Sequence, residues 1–187
     1  MSAIRRVMLG FLLGAAMLSA CSSAASSARE HVVFAVRTGF GQGMTAHPID
    51  VIDMGLPDLY NISDQAVRLS HVSLVGAPSA VHLRSVTAYV YPAAGGLGIG
   101  RGNFLRRCRK QDKPYPVTAA VTRPHAYANW LIVMAFSIVK PGRYHLGRAK
   151  IYYTTAGRRG WQYQNLNTTV VINAGPPGTK PWFDGCL

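Results

Sequence analysis

Beyond residue 30 the chain reads as short apolar runs, rich in β-branched and aromatic residues and separated by turn residues. No window there sustains a 3.6-residue apolar period. The pattern predicts strands over 31–37, 49–54, 57–60, 66–75, 84–91, 117–121, 129–139, 143–154 and 161–172. Turn signals fall at Ser63-Asp64, Pro78-Ser79, Pro141-Gly142 and Gly157-Arg158-Arg159-Gly160. Nothing alternates strands with helices as a parallel α/β sheet requires, so the expected fold is an all-β antiparallel sandwich.

Two strands change the parity of their apolar set. Val67 and Leu69 share one face before Val72 and Leu74 take over; Tyr144 and Leu146 give way, across Gly147, to Ala149, Ile151 and Tyr153. A β-bulge restores the apolar set to the core in such a case, with Gly147 a natural place for one; a strand crossing a sandwich corner does the same. Residues 130–136 (Trp-Leu-Ile-Val-Met-Ala-Phe) are apolar on both parities, which predicts a central strand covered on both sides.

The stretch Pro141-Gly142-Arg143-Tyr144 leading to Tyr152-Tyr153, with Leu59-Tyr60-Asn61-Ile62-Ser63-Asp64 before Val67-Arg68-Leu69, resembles immunoglobulin-like and fibronectin-type modules. The resemblance implies an immunoglobulin-like sandwich and no particular activity.

The N-terminus follows another logic. Arg5 and Arg6 precede an apolar run from Val7 to Leu18, the layout of a secretion signal. Leu18-Ser19-Ala20-Cys21 resembles the lipobox of bacterial lipoproteins. That resemblance implies cleavage before Cys21 and a diacylglycerol thioether on its sulfur. The expected organisation is a signal peptide over 1–20, lipidated Cys21 and a Ser/Ala-rich flexible tether over 21–30, a β-sandwich over 31–175, and a Pro/Gly-rich tail over 176–187. The expected location is the outer face of the bacterial cell membrane. No later apolar run reaches the ~18–20 residues a spanning helix needs.

Composition sharpens this. Of 187 residues, 20 are Lys or Arg and 7 are Asp or Glu. Loss of residues 1–20 removes Arg5 and Arg6 but no acid, so the processed chain stays strongly basic. An exported chain of this charge is expected to meet anionic lipid or acidic wall polymer rather than nucleic acid, and no protein partner is indicated. Arg101, Arg106, Arg107, Arg109, Lys110 and Lys113, behind the Gly-rich stretch 95–102 read as a loop, form the densest basic cluster and the expected anionic-surface contact. With Cys21 lipidated, Cys108 and Cys186 remain, and an exported chain lets them form a disulfide that pins the tail to this loop.

Catalytic chemistry finds little support. There is no Gly-x-Ser-x-Gly elbow, no Cys-x-x-Cys, and the Gly-rich stretch lacks a phosphate-loop register. Asp50 and Asp53, three apart on one predicted strand, point to opposite faces. The expectation is a non-catalytic binding or structural module without a cofactor. The alternative is a copper-binding protein: His145 after Pro141-Gly142, with His82, faintly resembles periplasmic cupredoxin-like copper chaperones, which implies His82 and His145 as ligands with His47 or Met44 added. Leu83 and Leu146-Gly147 stand where those families place methionines.

Overall fold

The computed structural model describes residues 28–36, 42–48, 50–56, 58–90, 99–101 and 113–174. Eleven strands lie within them: β1 (Arg29–Glu30), β2 (Gln42–Ala46), β3 (Val51–Gly55), β4 (Val67–Val75), β5 (Val81–Val90), β6 (Ile99–Arg101), β7 (Tyr115–Pro116), β8 (Val121–Thr122), β9 (Trp130–Ile138), β10 (Gly142–Thr155) and β11 (Arg158–Ile172). The larger sheet runs β1-β11-β10-β4-β8, with β2 also on β11; the smaller runs β6-β3-β9-β5-β7. All pairings are antiparallel except β1 and β2 with β11. The fold is the all-β sandwich that the alternation predicts.

One core joins the sheets. Ile52, Met54, Met134, Phe136 and Ile138 from the smaller sheet form a single buried cluster with Val67, Leu69, Val72, Ile151, Tyr153 and Val170 from the larger. Each fully buried aliphatic or aromatic side chain contributes about 1.5–3 kcal/mol. β9 lies at the centre of its sheet, and Leu131 and Val133, on the parity facing away from the core, are buried as well. The two-sided apolar pattern therefore marks a central strand, as expected.

Both parity changes are bulges. In β4, Tyr152 faces His71 while Tyr153 faces Leu69, leaving Ser70 as the extra residue. Between β10 and β11 the register slips between Leu146 opposite Thr168 and Arg148 opposite Asn165. Gly147 lies at this slip, but the left-handed backbone belongs to Asn167 on the partner strand, at φ 47°. Asparagine tolerates that conformation far better than most residues.

The first strand parts from expectation. Only Arg29–Glu30 ladders on β11; His31 N still bonds Trp161 O, and the chain then turns inward. Ala35 N donates to Tyr60 O at 2.8 Å and Ile62 N to Val33 O at 2.8 Å, with Phe34 bridged to Asn61. Val33 and Phe34 are fully buried, so their backbone needs partners. Gln162 of β11 supplies them: Oε1 accepts from Val33 N and Phe34 N, both at 2.8 Å, and Nε2 donates to Phe34 O at 3.0 Å. Gln164 Nε2 donates to Ala35 O at 3.0 Å.

Other differences are local. Residues 117–121 are not one strand: Val117–Ala119 is a 3-10 turn after Pro116, whose fixed φ of −61° sets the bend, and β8 follows. Of the expected strand over 57–60, the described residues 58–60 form only the isolated bridge Tyr60–Tyr127. Within the Gly-rich stretch, Ile99–Arg101 pairs with Met54–Ile52 instead of looping. The last hairpin turns at Ala156-Gly157, not over 157–160, because φ of 41° and 76° there suits the tight two-residue turn that follows strand twist.

Candidate binding surfaces

The outward parity of the larger sheet carries aromatic and cationic side chains in direct cross-strand register. Tyr152 lies between His71 and Trp161, Lys150 between Ser73 and Tyr163, and Arg148 between Val75 and Asn165. The rings touch: Trp161 and Tyr163 centroids are 5.2 Å apart, and His71 and Tyr152 are 5.6 Å apart. Lys150 Nζ sits 3.8 Å from the Trp161 ring centre and 5.0 Å from that of Tyr152; the Arg148 guanidinium lies 4.8 Å from Tyr163. Such cation–π contacts, about 0.5–1 kcal/mol each where exposed, hold the long side chains flat against the rings. Tyr152, Trp161 and Tyr163 are half-buried, and Arg148 and His71 are exposed.

This face is predominantly basic. β4, β10 and β11, adjacent in the sheet, contain Arg68, Arg143, Arg148, Lys150, Arg158 and Arg159 and no Asp or Glu; Arg158 shares the inward parity of Gly160 and Gln162, the other five stand on the outward parity, and on the neighbouring β1 Glu30 is in register with Trp161. Arg68 is also steadied by Thr118 O, 3.0 Å from its Nη1.

A second feature opens at the hairpin end of the sheet. A cleft of about 610 Å³ is lined by Arg29, Glu30 and His31 from the first segment, Ser63 to Gln65 from a polar turn, and Tyr153, Thr155, Arg158 and Arg159 from the hairpin. Its turn is fixed by buried Asn61, whose Nδ2 donates to Gln65 O (2.7 Å) and Arg123 O (3.0 Å), while Oδ1 accepts from Ser63 N (2.9 Å). Asp64 is paired with His125 at 2.8 Å. Tyr153 forms the inner wall. Its hydroxyl donates to His31 O, and burial pushes its pKa up from 10.0 to about 12. Its ring lies over Gly160, the residue directly opposite, where a Cβ would come within 2.6 Å of the hydroxyl oxygen.

Cys21, Cys108, Cys186, Arg106, Arg107, Arg109 and Lys110 lie outside the described residues, and of Arg101 only the backbone is described, opposite Ile52. Lys113 is exposed, its Nζ 5.8 Å from the Tyr115 ring centre. His82 stands on the outward parity of β5 and His145 on that of β10, strands of different sheets, so the two imidazoles face opposite sides of the sandwich. His145 Nδ1 lies 3.4 Å from Thr169 Oγ1. His47 closes a turn with Asp50, its N–H donating to Asp50 Oδ2 at 3.0 Å. Asp50 thus precedes β3 rather than sharing a strand with Asp53. Among the described residues no three His, Cys, Asp or Glu side chains gather in a metal-holding group.

The outward aromatic and cationic set was missed in the sequence although its signal was present. Lys150/Tyr152 and Trp161/Tyr163 recur at spacing two on the parity opposite the core residues. Compared with protein-family models, with curated proteins and with solved structures, the chain gives no match.

Proposed function

We propose that the chain is a lipid-anchored, extracytoplasmic module of a bacterial envelope that binds an anionic partner and catalyses no reaction. The observation that carries the binding half is the run of three adjacent strands bearing six cations and no carboxylate. A surface that only needs solubility mixes both signs; a face this predominantly basic, with Glu30 of β1 the acid in register with it, attracts a polyanion. The anchoring half rests on Leu18-Ser19-Ala20-Cys21 and the small-residue tether.

The place where the tether joins the fold supports a consistent orientation. Arg29 begins β1 opposite Gly160, next to Arg158 and Arg159, so three arginines gather where the tether enters, beside Glu30 and the His125-paired Asp64, and suit anionic headgroups. The basic residues expected over 101–113 would add to the same attraction. Two features favour the immunoglobulin-like reading of the sandwich. Tyr144 Oη donates back across the Pro141-Gly142 corner to Lys140 O at 3.0 Å, and the first strand runs parallel to the last.

The test uses the purified full chain in neutral detergent and an immobilised polyanion, polyphosphate, against a neutral polymer. The reading expects retention on polyphosphate that falls steeply with salt, and loss of most of it in an Arg68→Gln/Arg148→Gln/Lys150→Gln variant. Equal retention on both polymers would overturn it.

A further inference from the structure

The charge of the larger sheet accounts for attraction to any polyanion, but it does not account for the rings. We infer that the outward face of β4, β10 and β11 is a binding site for an acidic polysaccharide, whose sugar rings stack on Trp161 and Tyr163 while its acid groups meet Arg148 and Lys150. The inference rests on the binding reading above and names the ligand class for that same face.

Neighbouring strands are ~4.8 Å apart, and same-face residues along a strand repeat every ~6.8 Å. Four rings, His71, Tyr152, Trp161 and Tyr163, therefore occupy a connected patch across three strands, with Lys150 paired directly opposite Tyr163 and touching Trp161. The patch extends across three strands, its neighbouring rings inclined at 62° (Trp161 and Tyr163) and 43° (His71 and Tyr152). An extended patch suits a long chain laid along it, in contrast to the closed pocket a small molecule requires. Tyrosine and tryptophan present an apolar face with a polar tip, which matches a pyranose carrying C–H groups on one side and hydroxyls at its rim. Carboxylate or sulfate groups on the same polymer then find the Lys150 ammonium over Trp161 and the Arg148 guanidinium over Tyr163, within the same patch. β4, β10 and β11 carry no acid to repel them, and the acid in register with the patch is Glu30 of β1, opposite Trp161 at the sheet's edge. Of the macromolecules that offer stackable ring faces and negative charge together, an acidic glycan is the one an extracytoplasmic module meets.

The test compares four probes on the full chain in neutral detergent at fixed salt: polygalacturonate, ring-free polyphosphate, neutral dextran and a single-stranded oligonucleotide. Polygalacturonate should bind tightest. Trp161→Ala and Tyr163→Ala should each weaken it about tenfold and polyphosphate by no more than about twofold, since for polyphosphate the rings only steady Lys150 and Arg148, while Trp161→Phe, which keeps a stacking ring, stays within a few-fold. Arg148→Gln with Lys150→Gln should weaken both polyanions. Melting temperatures close to that of the parent chain keep a folding defect from imitating the effect. If the aromatic variants bind polygalacturonate as the parent does, or the oligonucleotide or polyphosphate binds as tightly, the glycan inference fails and the polyanion reading stands. If no polyanion binds, both fail.

Discussion

The side-chain amide of Gln162 does for Phe34 what a neighbouring strand would otherwise do: it accepts from the Phe34 N–H and donates to the Phe34 carbonyl. It also accepts from Val33 N. The first segment can therefore leave β11 and cross toward Tyr60 and Asn61 without stranding buried backbone groups. Removing the amide should cost more than an ordinary core truncation. Gln162→Leu leaves three buried backbone groups unpaired, at about 1–3 kcal/mol for each before relaxation, so a loss of about 3 kcal/mol or more is expected. Gln162→Glu should be unstable at neutral pH and recover as pH falls, because the protonated acid can again accept twice and donate once. Denaturant midpoints for both variants check this; a change below about 1 kcal/mol for Gln162→Leu would show that water replaces the amide.

Gly160 is required by contact. Opposite it, the Tyr153 ring lies where a Cβ would have to be, 2.6 Å from the hydroxyl oxygen and 2.7 Å from Cζ. Alanine in a strand interior normally stabilises by roughly 0.5–1 kcal/mol relative to glycine. Here Gly160→Ala should destabilise by about 1–3 kcal/mol, the range for forcing extra volume into a packed site. Urea unfolding with an unchanged slope would read this directly, and a stabilised variant would contradict it.

Tyr153 also sets an alkaline limit. Its phenol is held neutral by burial, with a pKa moved from 10.0 to about 12. A group whose pKa is raised on folding contributes its stability fully below the unfolded value and loses it as pH rises through the folded one. The parent chain should thus lose this contribution between pH 10 and about 12. Tyr153→Phe, less stable at neutral pH for want of the bond to His31 O, should narrow its deficit over the same interval. Melting temperatures of the pair from pH 8 to 12 give the comparison; a constant gap would contradict the assignment.

Alternation revealed the sheets because the period-2 pattern is set by which face meets the core. It located β9, both bulged strands and the last hairpin, where Ile151, Tyr153 and Val170 must all turn inward. It did not reveal where Val33 and Phe34 go, since a strand in either sheet satisfies their apolarity and only the distant Gln162 decides. The left-handed residue at the second bulge fell on Asn167 and not on Gly147 because register involves two strands and the pattern reports one. The outward rings Trp161 and Tyr163 stand at spacing two in the sequence, but only the cross-strand register brings Lys150 against both of them.

The cysteines carry a separate expectation. In protein recovered from an oxidising compartment, non-reducing peptide mapping should link Cys108 to Cys186. Reduction should lower the melting temperature, by an amount corresponding to about 4 kcal/mol in the chain-entropy model. Two alkylatable thiols would contradict the link.

The functional reading depends most on Cys21, because compartment, cysteine chemistry and the choice of partner all follow from export and anchoring. The direct measurement is the mass of the N-terminal peptide of the chain isolated from the membranes of a bacterial host, with Cys21→Ser prepared alongside. The account predicts a peptide beginning at Cys21, heavier by a thioether-linked diacylglycerol, with the variant unprocessed or released from the membrane. An N-terminus at another residue, or an unmodified Cys21, would contradict it.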